Sequence, residues 1–223
     1  MFAHARLAFA PRFAMHDLRL GDAISGHIAY TGLYELTLSR TIVRLARSGG
    51  LFVDVGANMG YFSLLWAAAR PENRVVAFEA SPRVAPILAH NVAKNGLEGT
   101  IRIEARAASD QTGTVKFNLG PDDQTGWGGI ADQGIDVASA RLDEVLAGQD
   151  IAALKIDVEG AEALVLRGAD RLLRDRLIHH IFFEQNDVRE RKLGPAGESP
   201  RAYLARLGYR TTRLTPHMWH AHL

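Results

Sequence analysis

Two rhythms of apolar and polar residues alternate along this chain. Short apolar runs end in a polar residue or a glycine turn, and stretches with apolar residues at helical spacing follow. The pattern predicts a strand over 51–55 and a helix over 60–69, then a strand over 74–79 and a helix over 83–95 that closes at Asn95-Gly96. A strand over 101–105 comes next, and Gly113 opens an alternating run over 114–119. The stretch 121–134, PDDQTGWGGIADQG, has no period and reads as a loop. DVASA then reads as a short strand and LDEVL as a turn or two of helix. A strand over 152–157, a helix over 161–173 and a strand over 178–184 follow. After an irregular stretch, DVRERKLGPAGES, the pattern gives a helix over 200–207 and a final strand over 209–214. Residues 1–50 read as a lead-in: short strands or turns around 12–28, then a helix over 33–47 stopped by Gly49-Gly50. The main domain occupies 51–223.

Strands alternating with helices imply an α/β fold of Rossmann-like type, a mostly parallel sheet with helices on both faces. Ligands of such sheets bind at the carboxyl ends of the strands, beside the switch point of strand order. Asp54, Glu79, the turn after Glu104, Asp157 and Glu184 all fall at those ends. The length of 223 residues suits one domain, or one with a small extension, and 47% hydrophobic residues can fill its core. A net charge of +1 gives no bulk attraction to nucleic acid or to an anionic membrane, so neither is expected as a partner. The four arginines between 167 and 176 read as the solvated face of a helix. The absence of cysteine excludes disulfides, thiolate nucleophiles and cysteine-ligated zinc within this sequence. No run approaches the roughly 20 apolar residues of a membrane span. The first 20 residues show no signal-peptide core, so a cytoplasmic location is expected. The hydrolase elbow G-x-S-x-G, the phosphate loop G-x-x-x-x-G-K-[ST] and the zinc pair H-E-x-x-H are all missing.

Chemistry concentrates in LFVDVGANMGYF, residues 51–62. Here a strand runs through Asp54 into a tight loop with Gly56 and Gly60, which let a backbone approach a ligand closely. Asn58 either caps the following helix or faces the ligand, and Tyr61 either stacks beside it or packs. Glu79, twenty-three residues past Gly56, ends the second strand, where an acid suits the two hydroxyls of a ribose. A dinucleotide fingerprint needs G-x-G-x-x-G, and Asn58 and Tyr61 break it here. Asp54 at the loop's base would repel a pyrophosphate. S-adenosylmethionine, a nucleoside with an ammonium, a carboxylate and a sulfonium but no phosphate, fits both acids.

The strings VDVGANMGYFSLLWA, VVAFEASP, ARLDEVL and LKIDVEGAEALVLRGA closely resemble the FkbM-type methyltransferases, over roughly residues 32–186. That resemblance implies a class I fold with seven strands, the last antiparallel. It also implies S-adenosylmethionine as cofactor and, most often, O-methylation. The acceptor would be a small molecule or a sugar. N-methylation and dinucleotide-dependent oxidoreduction are the alternatives. The first is disfavoured because DVEG stands where many amino-group enzymes carry Asp/Asn-Pro-Pro-Tyr.

The cofactor set comprises Glu35, Asp54, Gly56, Asn58, Gly60, Tyr61, Glu79, Ala80, Ser81, Ala107 and Asp157. Ala107 lies in the turn 105–110, which in related enzymes borders adenine. Glu35, after Tyr34, either meets the ligand's ammonium or is an exposed helix acid. Candidates for removing the acceptor's proton are Asp157, Glu159 and Glu184. Asp157, Glu184 and Asn186 roughly match a magnesium site of catechol-type enzymes, but the spacing is wrong and no metal is assigned. Trp127 with its loop, and the terminal PHMWHAHL, are candidates for acceptor recognition. That terminal stretch otherwise reads as a tail or a metal tract. Whether the N-terminal segment packs on its own core or on a second copy, giving a homo-oligomer, stays open.

Overall fold

The computed structural model describes residues 2–185 and 198–223. Two strands, β1 (Phe2–Leu7) and β2 (Ala10–Leu18), form an antiparallel hairpin. Helices α1 (Ala23–Thr31) and α2 (Leu36–Ala46) follow. Asp22 caps α1 by accepting from Ser25 N at 2.6 Å, and Gly32 ends it in the left-handed region. The sequence places short strands or turns around 12–28; β2 overlaps that stretch, whereas β1 and the helix α1 are not foreseen.

The centre is a seven-stranded sheet. Its strands are β3 (Leu51–Val55), β4 (Arg74–Phe78), β5 (Ile101–Glu104), β10 (Ile151–Ile156), β11 (Ile178–Glu184), β12 (Arg210–Arg213) and β13 (Met218–His222). Their order is β12-β13-β11-β10-β3-β4-β5. Pairing is parallel from β11 through β5, and β13 runs antiparallel to both β11 and β12. The last strand is therefore antiparallel, as expected, but it is Met218–His222 and not the segment 209–214. What reads as a tail is thus an inner strand of the sheet.

Alternation sorts the two faces. Phe52, Ala77, Ala153 and Phe182 point to one side, where α2, α3 (Tyr61–Ala69), α4 (Ala85–Lys94) and the hairpin pack. On that side Trp66 stacks on Phe52 at 5.0 Å and donates to Gly50 O at 3.0 Å. Val53, Val55, Phe78, Leu154, Ile156 and Phe183 point to the other side. There they meet α5 (Leu142–Val145), α6 (Glu162–Gly168), α7 (Asp170–Arg174) and α8 (Pro200–Arg206). The single helix predicted over 161–173 is two, broken at Ala169. Leu7, Met15, Leu18, Ile28, Leu38 and Ile42 share the first core, so the lead-in is built onto the sheet domain. Asn95 and Asn91 secure it by accepting from Ala14 N and His16 N at 2.9 and 2.7 Å.

A small second sheet orders β6 (Ala107–Ala108), β9 (Ile135–Ala140), β7 (Gly113–Asn118) and β8 (Gly129–Ile130). It carries the loop 121–134 toward the carboxyl ends of the main sheet. No helix among the described residues is long and apolar enough to cross a membrane.

Candidate functional site

Strand order reverses between β3 and β10, and the carboxyl ends of β3, β4, β10 and β11 open there into one cavity. Gly56 forms its floor with φ +75°, and a Cβ on it would sit 1.9 Å from Asp157 O, so no other residue fits. Glu79 reaches up from the end of β4. One carboxylate oxygen accepts from Asn58 N at 2.8 Å, the other from Ser81 N at 2.9 Å. Burial pushes its carboxyl up to about 7, against the pull of those two N–H groups. The Ser81 hydroxyl is buried in the same wall and has no hydrogen-bond partner within the chain.

Lys155 lies almost fully buried on β10 among acids. It pairs with Asp157 at 3.2 Å and Asp54 at 3.7 Å, and donates to Gly56 O at 3.3 Å. Burial pulls its ammonium down, but Asp157, Asp54 and Glu35 outweigh that and hold it charged above the ordinary lysine value. Asp54 belongs to this cluster and not to the cavity lining. It sits directly opposite Lys155 in the ladder and points to the α3 side, where Ser63 Oγ donates to it at 2.6 Å. Gly60 likewise stays behind the wall: its φ of +94° starts α3, and a Cβ would strike Leu88 at 2.6 Å.

The other expected residues are brought together. Glu35, Gly56, Asn58, Tyr61, Glu79, Ala80, Ser81, Ala107 and Asp157 line the cavity, as do Glu159 and Glu184. Asn58 does not cap α3, because its side-chain oxygen accepts from Met59 N at 2.7 Å. Tyr61 lines the cavity, and its hydroxyl accepts from Ser39 Oγ of α2 at 3.2 Å. Glu35 is no exposed helix acid. Burial, then Asp157 and Glu184, push it up to about 7, with Lys155 opposing, and one of its oxygens has no hydrogen-bond partner. Burial and Asp157 also raise Glu184. Three non-glycine residues lining the cavity hold left-handed backbones: Glu35 at φ 42°, Asn58 at 50° and Glu159 at 59°. Such conformations cost of order 1–3 kcal/mol each and concentrate at binding sites.

Behind the acid turn, Glu162 Oε1 accepts from Val158 N at 3.1 Å and Gly160 N at 3.2 Å, fixing the loop that presents Asp157 and Glu159. Burial pushes Glu162 up to about 8. The KIDVEGAE string carries this residue, but only the fold shows its role.

Several wall residues come from segments whose role the sequence left undecided. Ile24 and Ile28 of α1, Thr125, Gly126 and Gly128 to Ile130 of the loop, Thr215 and His217 of the β12–β13 turn, and Met218 of β13 close the cavity's far side. Asp22 fastens the loop to α1 by accepting from Thr125 N at 2.6 Å and Thr125 Oγ1 at 2.9 Å. Trp127 itself is exposed and outside the lining. Asn186 lies outside the described residues.

Five acids against Lys155, Arg106 and His217 give this cavity a surplus of negative charge. It would attract a cation and repel a phosphate. A twice-anchored carboxylate for paired hydroxyls, an unpartnered buried Glu35 oxygen for an ammonium, and small Ala107 and Ala108 for a flat ring fit S-adenosylmethionine.

Residues 54–211 match the family described as the methyltransferase FkbM domain. The chain is 27% identical over 162 residues to methyltransferase sdnD of Sordaria araneosa, covering 55% of this chain and 61% of that protein. It is 30% identical over 178 residues to the 31-O-demethyl-FK506 methyltransferase FkbM of Streptomyces tacrolimicus, covering 64% and 67%. It thus spans less than two thirds of the first relative's length. Among solved structures, M. capricolum TrmK in complex with S-adenosyl-homocysteine shares the fold. The TM-score is 0.50 at 12% identity, over 85% of this chain and 68% of that one.

Proposed function

The chain belongs to the FkbM methyltransferase family, and from that premise we propose that it transfers a methyl group from S-adenosylmethionine to a hydroxyl of a small molecule or sugar. The observation that carries this reading is Glu79: a carboxylate fixed at both oxygens by backbone N–H groups, at the end of β4 beside the switch point, facing an acid-rich cavity. It would hold the ribose hydroxyls. Glu35 would take the ammonium, and the backbone at Gly56 and Asn58 would lie along the methionine chain. Bound S-adenosylmethionine supplies an electrophilic methyl group on a sulfonium.

Positioning does most of the remaining work, since a donor already activated needs its acceptor aligned about 3 Å away. A hydroxyl acceptor must also lose its proton, and the weaker the acid that receives it, the better the base. Among the three candidates, Asp157 is neutralised by Lys155 at 3.2 Å. Glu184 ends β11 inside the same cavity, where burial and Asp157 raise its carboxyl, so we assign it the proton. Asp157 and Lys155 hold the charge balance beside it. The relative from Streptomyces tacrolimicus is named as a 31-O-demethyl-FK506 methyltransferase, and that name supports oxygen as the methylated atom.

Incubation with methyl-¹³C S-adenosylmethionine and matched panels of alcohols and amines tests this. An O-methyl carbon signal from alcohols is expected, lost in Glu184→Gln. N-methyl products from amines alone would overturn the O-methyl assignment.

A further inference from the structure

The ladder between β11 and β13 runs away from the cavity in three rungs on one face. Glu184 opposes Met218 at the cavity, Phe182 opposes His220 next, and His180 opposes His222 last. Three imidazoles therefore meet on one patch of sheet. Ring centroids are 5.2 Å apart for His180 and His220, 5.3 Å for His220 and His222, and 6.3 Å for His180 and His222. The His220 ring also stacks on Phe182 at 4.5 Å, which gives the patch an apolar floor.

We propose that His180, His220 and His222 form a binding site for one divalent transition-metal ion of the zinc class, with a fourth position open to water. Two histidines at i and i+2 on one strand and a third across from them supply three nitrogens on one side, the donor set of three-histidine zinc sites. His180 Nδ1 and His220 Nε2 are already 3.1 Å apart. Two ligands at about 2.0–2.1 Å subtend roughly 3.3 Å at a tetrahedral ion, so these two are close to spacing for one metal. His222 Nδ1 lies 3.1 Å from Leu223 O. That main-chain oxygen only accepts, so the contact places the proton on Nδ1 and leaves the Nε2 lone pair for a metal. A carboxylate or main-chain oxygen holding the far N–H is the usual support of a ligating histidine.

Arg44 acts electrostatically on both His180 and His220. As the rings stand, no three groups converge on one point among the described residues. Metal binding would require rotation of the imidazoles about χ2, at the expense of the His180–His220 hydrogen bond. Arg44 is the charge that opposes a cation here. A bound ion would clamp β13 to β11, and β13 with its turn carries the His217 and Met218 that wall the cavity.

Zinc titrated by calorimetry into chelator-stripped protein at neutral pH should bind at one site per chain. Cobalt(II) in its place should show the visible absorption of a tetrahedral nitrogen-bound ion. His180→Gln, His220→Gln and His222→Gln should each weaken binding about 10-fold or more, since even losing a supporting group of a ligand costs that much. His90→Gln, in the separate group of His4, His16 and His90, should leave it unchanged. Imidazole NMR of the unsubstituted protein needs no variant: zinc must move the ring signals of His180, His220 and His222 and spare His90. No saturable zinc binding by the folded protein, or perturbation of His90 in place of the three, would overturn the site.

Discussion

Both oxygens of Glu79 are held by backbone N–H groups, at 2.8 and 2.9 Å, so the carboxylate is set before a ligand arrives. Each oxygen keeps a further lone pair for a ribose hydroxyl. Glu79→Gln would remove the charge and turn one oxygen into an N–H₂ facing a backbone donor. A charge-assisted hydrogen bond is worth roughly 1.5–3 kcal/mol, so cofactor affinity measured by calorimetry should fall about 10-fold or more. Unchanged affinity would move ribose recognition elsewhere. Asp54 shows the converse. Its place at the end of a strand, next to the glycine loop, made it look like a ligand for the cofactor. The pleat turns it to the α3 side, where Ser63 and Lys155 engage it. A sequence shows that a residue ends a strand; the side it faces depends on which strand edges pair.

The central strands were legible because each is an apolar run ending in a polar residue, a local signal. β3, β4, β10 and β11 lie where the pattern put them, to within a residue. Their end residues Glu79, Asp157 and Glu184 do meet in one cavity. β1 and β13 were not legible. In FAHARL and MWHAH, histidine or arginine alternates with small or apolar residues, so the period is present but the hydrophobic contrast is weak. The cavity's far wall was hidden for a different reason. Ile24, Thr125 and His217 come from three distant segments, and only long-range contacts such as Asp22 to Thr125 bring them together. Nothing local in PDDQTGWGGIADQG marks which of its residues turn inward: Thr125 and Gly126 line the cavity, while Trp127 between them and Gly128 stays exposed.

Across the whole molecule, the acids gathered for a cation set a pH dependence of stability. Burial lifts Glu35 and Glu79 to about 7 and Glu162 to about 8, from an ordinary value of 4.5. Between those values the folded chain holds more protons than the unfolded one, so stability falls as pH rises. His16, His180 and His220, lowered from 6.5, act in the opposite direction, but only below 6.5. The ligand-free protein should therefore melt at lower temperature at pH 8.5 than at pH 6.5, and calorimetric scans at the two values check this. A flat or rising melting temperature would mean that these acids are not buried as described. With its surplus of acids and the anchored Glu79, this cavity should take an adenosyl cation and not a dinucleotide. Parallel calorimetric titration with S-adenosylmethionine, S-adenosylhomocysteine and NADH distinguishes the two. Saturable one-to-one binding of both adenosyl compounds and none of NADH is the predicted result. Binding of NADH alone would contradict the assignment of Glu79, Glu35 and the glycine loop together.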